Sequence, residues 1–186
     1  WEIILALDAG IFCFNVESLE ELHIIDSIAA SKGKMAKVCF RINPDVGAHT
    51  HANITTGLAE NKFGIPMEDM EKAIHEAERL SNIEFLGLHF HIGSQILEMN
   101  DFEALCVRIN ELLERLDQQG IEVEIINVGG GLGIDYDDPN GKPIPDFKAY
   151  FDTYAKGLNI KPNQEIPFEL GRSVVGQMGS LITRIL

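Results

Sequence analysis

Apolar and polar positions follow two different periods along this chain. Short apolar runs alternate with longer stretches in which apolar residues recur every three or four positions. The short runs are typical of buried strands, and the longer stretches are typical of amphipathic helices. Their alternation is the sequence form of repeated βα units around a parallel sheet. We therefore predict five strands, over residues 11–16, 36–42, 85–92, 123–128 and 166–170.

A helix is predicted after each of the first four strands, and start and stop signals support most of them. Ser18 stands three residues before Glu21, which is the spacing of a capping box, and Gly33 ends that helix. Pro66 opens the second helix and Asn100 caps the third. The four apolar faces carry Leu22, Ile25 and Ile28, then Met70, Ile74, Ala77 and Leu80, then Phe102, Leu105, Ile109, Leu112 and Leu116, and finally Phe147, Tyr150, Phe151 and Tyr154.

Successive βα units either close into a (β/α)8 TIM barrel or lie open as a doubly wound sheet. The predicted strands carry polar residues at every second position, and a barrel lumen accepts inward polar side chains better than an open sheet does. We therefore predict a TIM barrel, which five strands would leave incomplete. The connection after the second strand has about twenty residues, far more than the usual roughly two to six, and long connections of this kind often have a function.

The two ends of the chain predict a piece of a longer protein. The chain begins at Trp1 with no initiator Met, within what reads as the last turns of a helix that Gly10 ends. It finishes in the apolar run of residues 181–186.

Composition and charge exclude several classes of protein. Hydrophobic residues make up 45% of the chain and charged residues 24%, which is a globular balance and not that of a disordered chain. The net charge is −14, from 15 Lys and Arg against 29 Asp and Glu, and no basic cluster is visible, so nucleic-acid binding is not expected. No apolar run approaches the roughly 18 residues of a membrane span, and no signal peptide opens the chain. The three cysteines, Cys13, Cys39 and Cys106, have no C-x-x-C spacing and read as reduced thiols of a cytoplasmic protein.

The most informative histidines are His89 and His91. Period two on a strand places both on one face, at the end of the barrel where ligands bind. A second pair, His49 and His51, lies in the long loop, so four imidazoles could converge on a zinc ion. We favour hydrogen-bonded histidines without a metal, because no Asp or Cys completes a recognisable ligand spacing.

Two consecutive loops indicate a phosphate site. The run Gly129-Gly130-Gly131-Leu132-Gly133 follows the fourth strand, where backbone N–H groups can approach a phosphate closely, although neither G-x-G-x-x-G nor a P-loop is matched. The fifth strand ends in Gly171-Arg172, whose guanidinium can bind an oxyanion bidentately. Glu169 is either an ion-pair partner of Arg172 or, beside a pyridine ring, the carboxylate that keeps the ring nitrogen protonated.

Seven segments together carry a resemblance to a known family. They are Arg41-Ile42-Asn43-Pro44, His49-Thr50-His51, Thr55-Thr56-Gly57, Lys62-Phe63-Gly64, His89-Phe90-His91-Ile92-Gly93-Ser94-Gln95, Gly129-Gly130-Gly131-Leu132-Gly133 and Glu169-Leu170-Gly171-Arg172. In order and spacing the chain resembles the diaminopimelate decarboxylases, of the alanine-racemase-like group of pyridoxal-phosphate enzymes. The resemblance covers essentially the whole chain. One departure is Leu170, where the family usually has Pro in E-P-G-R, a conservative change in a backbone role.

The resemblance implies a site for pyridoxal 5'-phosphate and a reaction. The implied cofactor residues are His91, Ser94, Gly131, Glu169, Leu170, Gly171 and Arg172. His91 would stack on the cofactor ring, Glu169 would bind the pyridine nitrogen, and both would be catalytic. The others would hold the phosphate, and Arg172 would also bind the distal group of the substrate. That substrate would be meso-diaminopimelate, which loses carbon dioxide at its D-centre to give L-lysine.

The same resemblance implies that parts of the family's enzyme lie outside this chain. Residues 1–176 would be strands four to eight of the barrel, and residues 177–186 would be the first strand of a C-terminal β-domain. That domain supplies a catalytic Cys and substrate residues across a homodimer interface. The lysine that forms the Schiff base would lie upstream of Trp1, and the lysines of this chain would occupy helix or loop positions that do not replace it. The chain alone is therefore predicted to be inactive.

Three other functions remain open on the sequence. Related decarboxylases act on ornithine, arginine or carboxynorspermidine. A metal-dependent barrel hydrolase would use the two H-x-H pairs. A non-catalytic, cofactor-binding or regulatory relative would keep the phosphate site and lack the lysine.

Overall fold

A computed structural model of the chain describes residues 1–44, 63–141, 144–179 and 182–184. Its strands form one parallel sheet in the order β1-β2-β3-β4, so consecutive strands are neighbours. The strands are β1 (Phe14–Val16), β2 (Ala36–Arg41), β3 (Ile83–His89) and β4 (Ile125–Asn127). This order is that of successive βα units, as the sequence predicts, and the first predicted strand is shorter than expected because Ile11 and Phe12 lie exposed beside the end of a helix.

Helices lie between the strands. They are α1 (Glu2–Ala9), α2 (Leu19–Lys32), a 3-10 turn (Met67–Asp69) leading into α3 (Met70–Arg79), α4 (Met99–Gln118), α5 (Phe147–Gly157) and the short α6 (Arg172–Val175). Each predicted apolar face is turned to the core at most of its positions, whereas Phe151 of α5 is exposed. None of the helices in the described ranges is both long and apolar enough to cross a lipid bilayer.

The predicted fifth strand runs beside β4 but is not a regular strand. Ile126 N donates to Glu165 O at 2.9 Å, and Val128 N donates to Pro167 O at 3.2 Å. Glu169 N then donates to Gly129 O at 2.7 Å. These bonds form a parallel ladder along β4, with a single bridge between Ile125 and Glu165. The position of the fifth strand is therefore confirmed, with looser regularity than predicted.

Helix boundaries follow local hydrogen bonding. The hydroxyl of Ser18 accepts a bond from Glu21 N at 3.1 Å, so the predicted cap of α2 is confirmed. The prediction that Asn100 caps α4 is wrong. Glu98 is the extended residue that precedes α4, and Asn100 is already the second helical residue, so its side chain is past the capping position.

The two faces of the sheet differ in chemistry. Val38, Phe40, Leu88 and Ile126 belong to the main apolar core together with the buried helix faces. The intervening positions form the inner face, where Asn15 is paired in register with Cys39 and His89 is paired with Asn127. This face carries a small apolar cluster of Cys39, Leu86 and Ile125, and its polar side chains include Asn15, His89 and Asn127.

One lysine departs from the sequence prediction. Lys37 lies on β2, not in a helix or a loop, and its ammonium is 3.7 Å from Glu84 of β3. Both residues are near the amino ends of their strands, whereas His89 and Asn127 end theirs. Lys37 is therefore at the opposite end of the sheet from the polar cluster described below.

The predicted C-terminal strand cannot be followed as a unit. Of residues 177–186, positions 180, 181, 185 and 186 lie outside the described residues, as do His49 and His51 of the long loop. The division into a barrel part at 1–176 and a following domain stays a prediction.

Candidate active site

The loops that follow β3 and β4 pack against each other at the carboxyl end of the sheet. Ile96 N donates to Gly131 O at 2.9 Å, and Gly133 N donates back to Ile96 O at 2.9 Å. These two bonds fix the segment after His91 against the glycine run. The residues that the sequence singled out on two separate strands are thereby brought together.

Three strands orient the carboxylate of Glu169. Its Oε1 accepts hydrogen bonds from Asn15 Nδ2 of β1 at 2.9 Å and from Asn127 Nδ2 of β4 at 2.8 Å. Its Oε2 lies 3.2 Å from His89 Nε2 of β3. The side chain is 43% exposed. Glu169 is thus held in a fixed direction at the inner face of the sheet and still reaches solvent.

These contacts keep Glu169 ionised. The His89 imidazole is the largest cause, and with the amides of Asn127 and Asn15 it lowers the pKa of Glu169 from 4.5 to about 2, against the opposing effect of burial. Both ring nitrogens of His89 are buried, and its Nε2 lies 3.2 Å from Oε2 of Glu169. At neutral pH the Glu169 side chain is therefore a carboxylate.

Asn127 joins this carboxylate to the glycine run. Its Oδ1 accepts a hydrogen bond from Gly129 N at 2.9 Å while its Nδ2 donates to Glu169. The backbone N–H of Glu169 in turn donates to Gly129 O at 2.7 Å. Three hydrogen bonds therefore link Asn127, Gly129 and Glu169 into one closed ring.

The glycines are needed because three backbone segments meet here. A Cβ on Gly130 would lie 2.2 Å from Glu169 O, and a Cβ on Gly131 would lie 2.3 Å from Gly93 O. Gly131 also has φ 97°, a conformation that residues with a side chain rarely adopt. The glycines therefore allow these backbone segments to pack closely, and the close approach to a phosphate that the sequence indicates stays a prediction.

Among the ion pairs of the described residues, none joins Arg172 to Glu169. Arg172 Nη1 donates to Gln95 Oε1 at 3.1 Å, and its guanidinium lies 5.9 Å from the centroid of the Tyr136 ring. The simple interpretation of Glu169 as an ion-pair partner of Arg172 is therefore wrong. The partners of Glu169 are instead the two asparagines and His89.

Gln95 belongs to this cluster, although the sequence indicated no role for it beyond its place at the end of the His89–Gln95 segment. It is buried, with φ 62°, which is rare outside glycine. Its Nε2 donates to Ile134 O at 2.6 Å, and its Oε1 accepts from Ile134 N at 3.2 Å. Gln95 therefore connects the loop after β3 to the loop after β4 and to Arg172. Its unusual backbone conformation left no trace in the residue pattern.

The remaining predicted site residues lie around this cluster. His91 lies after the end of β3 at His89 and not on the strand, so the prediction that both histidines share a strand face is wrong. It is half-buried next to the glycine run, since a Cβ on Gly129 would lie 3.1 Å from its Nδ1. Ser94, which comes just before Gln95 in the sequence, is half-buried. Leu170 packs on the apolar core. Gly171 is exposed, and a Cβ there would meet no atom within 4 Å. His91 and Ser94 follow β3, Gly131 follows β4, and residues 169–172 end the fifth predicted strand, so all seven predicted cofactor residues come at or after the carboxyl ends of strands.

The described ranges contain no cluster of side chains suited to a metal ion. No group of three or more His, Cys, Asp or Glu side chains there could hold a metal ion. His89 has Glu169 as its neighbour, and the second histidine pair of the zinc interpretation lies outside the described residues.

Residues 2–176 match the family described as "Pyridoxal-dependent decarboxylase, pyridoxal binding domain". The chain belongs to this family. The match includes all helices and strands from α1 to α6 and every residue of the predicted cofactor site.

Relatives in this decarboxylase family are similar along the whole chain. The chain is 64% identical over 186 residues to a diaminopimelate decarboxylase of Bacteroides thetaiotaomicron, covering all of this chain and 48% of the relative. It is 44% identical over 184 residues to a diaminopimelate decarboxylase of Neisseria meningitidis serogroup B, covering 99% and 44%. The chain thus spans about half the length of the curated relatives it matches.

A solved structure in the same decarboxylase family confirms the fold. The diaminopimelate decarboxylase of Helicobacter pylori, complexed with L-lysine, superposes with a TM-score of 0.80 at 34% identity. The superposition covers 93% of this chain and 43% of that structure. The prediction of a partial TIM barrel that belongs to a pyridoxal-phosphate decarboxylase is therefore confirmed.

Proposed function

We propose that the intact protein to which this chain belongs converts meso-2,6-diaminopimelate to L-lysine and carbon dioxide with pyridoxal 5'-phosphate as cofactor. The observation that carries the chemistry is the Glu169 carboxylate, ionised and oriented by three strands at the carboxyl end of the sheet. The choice of substrate is supported by relatives up to 64% identical that are diaminopimelate decarboxylases.

The residues present fit a pyridoxal phosphate. Oε1 of Glu169 already accepts two hydrogen bonds, so Oε2 is the oxygen with room for a further donor, and a protonated pyridine nitrogen is such a donor. When bound, the cofactor supplies an electron sink for the electron pair that is left when carbon dioxide departs. An ionised Glu169 keeps the proton on the ring nitrogen, and this is the catalytic role we assign to it.

We assign binding of the ring and the phosphate to residues that neighbour Glu169. We assign stacking on the cofactor ring to His91, which is half-buried beside the glycine run. We assign the phosphate to Ser94, Gly131 and the backbone of residues 170–172. The space open at Gly171 supports this assignment, because an oxyanion needs room next to the backbone.

Arg172 is the residue that we assign to the distal end of the substrate. Diaminopimelate carries a carboxylate at each end, and a guanidinium binds a carboxylate with two parallel hydrogen bonds. Gln95 and Tyr136 hold the Arg172 side chain from one side, so its direction is set before substrate binds.

We assign the Schiff-base lysine and the catalytic Cys of a C-terminal β-domain to parts of the intact protein outside residues 1–186, and we propose a homodimer in the cytoplasm. Residues 1–176 would be the barrel portion and residues 177–186 would lead into that domain. Free Cys13, Cys39 and Cys106 support a reducing compartment.

The test is carbon dioxide release by the intact protein supplied with pyridoxal phosphate. We expect release from meso-diaminopimelate and much slower release from L-ornithine, L-arginine or carboxynorspermidine. Preference for one of those three would reassign the substrate within the family. No release from any of them, together with binding of the cofactor, would favour a non-catalytic relative.

A further inference from the structure

We propose that Asn127 is a positioning residue that sets the distance between the ring-nitrogen carboxylate and the glycine run. This inference rests on the proposed function, because it assumes that Glu169 meets the pyridine ring and that the glycine run meets the phosphate. It assigns to Asn127 a role that neither the sequence pattern nor the family resemblance indicated.

The closed ring of hydrogen bonds is the geometric basis. Gly129 N donates to Asn127 Oδ1 at 2.9 Å, Asn127 Nδ2 donates to Glu169 Oε1 at 2.8 Å, and Glu169 N donates to Gly129 O at 2.7 Å. A backbone N–H can only donate and a carboxylate can only accept, so the amide of Asn127 has one possible orientation. Neither end of the ring can move without breaking a bond.

Burial makes this ring rigid. Asn127 is 6% exposed, and it is paired with His89 in the β3–β4 register. Losing either bond would leave a buried polar group unsatisfied, which costs more than an exposed bond does. Asn127 therefore transmits the position of β4 to both groups at once.

The shape of the cofactor explains why a rigid ring of hydrogen bonds would help binding. The aromatic ring of pyridoxal phosphate fixes the direction from its nitrogen to the carbon that carries the phosphate arm, and the arm has only a few rotatable bonds. The protein must therefore present both binding groups within a narrow range of distances. Preorganised groups bind more tightly because less freedom is lost on binding.

Asn15 provides a matched control for Asn127. It donates to the same Oε1 of Glu169 at 2.9 Å, but among the described hydrogen bonds it has none to the glycine run. Asn15→Leu and Asn127→Leu each remove one bond to Glu169, and only Asn127→Leu also removes the acceptor of Gly129 N.

The experiment measures dissociation constants of pyridoxine and pyridoxine 5'-phosphate for the intact apoprotein, by calorimetry. Neither ligand has an aldehyde, so no covalent bond to a lysine contributes. The dissociation constant of pyridoxine divided by that of pyridoxine 5'-phosphate therefore measures the contribution of the phosphate to binding. We expect Asn127→Leu to reduce this ratio roughly tenfold and Asn15→Leu to leave it within about twofold, as the loss of one buried hydrogen bond predicts. Equal ratios in the two variants would overturn the proposal.

Asn127→Ala keeps the proposal testable if Asn127→Leu does not fold, because the smaller side chain adds no bulk to the site. It removes the same two hydrogen bonds, to Gly129 N and to Glu169 Oε1. We expect the same roughly tenfold reduction of the ratio, and a ratio within about twofold of that of the parent would contradict the proposal. If the parent protein itself shows no preference for the phosphate ester, the proposed function fails, which is a different result from a parent preference that Asn127 does not influence.

Discussion

The two oxygens of the Glu169 carboxylate have different surroundings. Oε1 is saturated by Asn15 and Asn127, and Oε2 faces the buried imidazole of His89. The first arrangement fixes the plane of the carboxylate, and the second keeps it charged while leaving an acceptor position open. A single side chain thereby receives both its direction and its charge from the inner face of the sheet.

Replacing Glu169 by Gln in the intact protein should reduce turnover much more than cofactor retention. The change keeps the shape and removes the charge beside the ring nitrogen, so it acts on the transition state and leaves the phosphate contacts in place. We expect kcat to fall by about 10²–10³, the range typical of lost electrostatic stabilisation. Steady-state kinetics and cofactor titration measure both quantities, and an unchanged kcat with only a raised KM would disprove this role.

Glu169→Gln should lower the stability of the folded protein at neutral pH, and this effect should disappear at strongly acidic pH. The pKa of Glu169 is depressed from 4.5 to about 2 in the folded protein, so its ionised form stabilises the fold above pH 4.5. This contribution is lost as the pH falls from 4.5 through about 2, and it is reduced by solvent because the side chain is 43% exposed.

Thermal melts of the parent and Glu169→Gln, in the intact protein between pH 2 and 7, measure this effect. We expect a difference in Tm that is constant above about pH 5 and shrinks below pH 4.5. A difference that grew on acidification would show that the His89 contact does not stabilise the ionised carboxylate.

The sequence singled out Glu169 and His89, but not the two asparagines that donate to the Glu169 carboxylate. Glu169 stood out because a carboxylate at the end of a strand near a glycine run has a specific chemical use. Asn127 precedes that run by two residues and reads as an ordinary strand end, and Asn15 lies more than a hundred residues earlier. Their convergence is a consequence of strand order and register, which the composition of either strand does not reveal.

At the level of elements, close packing of loops determines where glycine is required. Gly130 has ordinary backbone torsion, so its constraint is steric and comes from Glu169 O, which a Cβ would approach to 2.2 Å. Gly171 has no such neighbour within 4 Å. The two positions therefore separate crowding from the general effect of losing a glycine.

Gly130→Ala should destabilise the fold, whereas Gly171→Ala should not. We expect the free energy of unfolding of the intact protein to fall by about 1–3 kcal/mol for Gly130→Ala, because the ladder between β4 and residues 165–169 must separate. Gly171→Ala should remain within about 0.5 kcal/mol of the parent. Chemical denaturation measures both, and equal effects would show that the loops can part without cost.

Periodicity predicted the type of each element better than its ends. The apolar stripe of α4 is buried at all five predicted positions, since a helix of that length must cover the sheet. Its first residue was misplaced because an Asn is acceptable both as a cap and inside the first turn. The fifth strand was predicted longer and more regular than it is, because Pro167 has no N–H to contribute to a ladder.

At the scale of the whole molecule, the described sheet has two open edges, because β1 and the segment 165–169 each have a single neighbour among the described residues. β1 pairs with β2 on one side, and no other described strand pairs with it. Apolar side chains are exposed next to it, including Phe12 at 57% and Ile11 at 42%. An unpaired edge flanked by apolar surface is a site at which chains associate.

The isolated 186-residue chain should therefore self-associate and lack decarboxylase activity. Sedimentation velocity should show oligomers that grow with concentration, and Phe12→Lys should weaken them because it places a charge beside the exposed edge. Activity should be absent even with added pyridoxal phosphate, since we assign the lysine that binds it covalently to the remainder of the intact protein. Carbon dioxide release from meso-diaminopimelate, or a borohydride-reduced adduct on one lysine of the chain, would show that this assignment of the lysine is wrong.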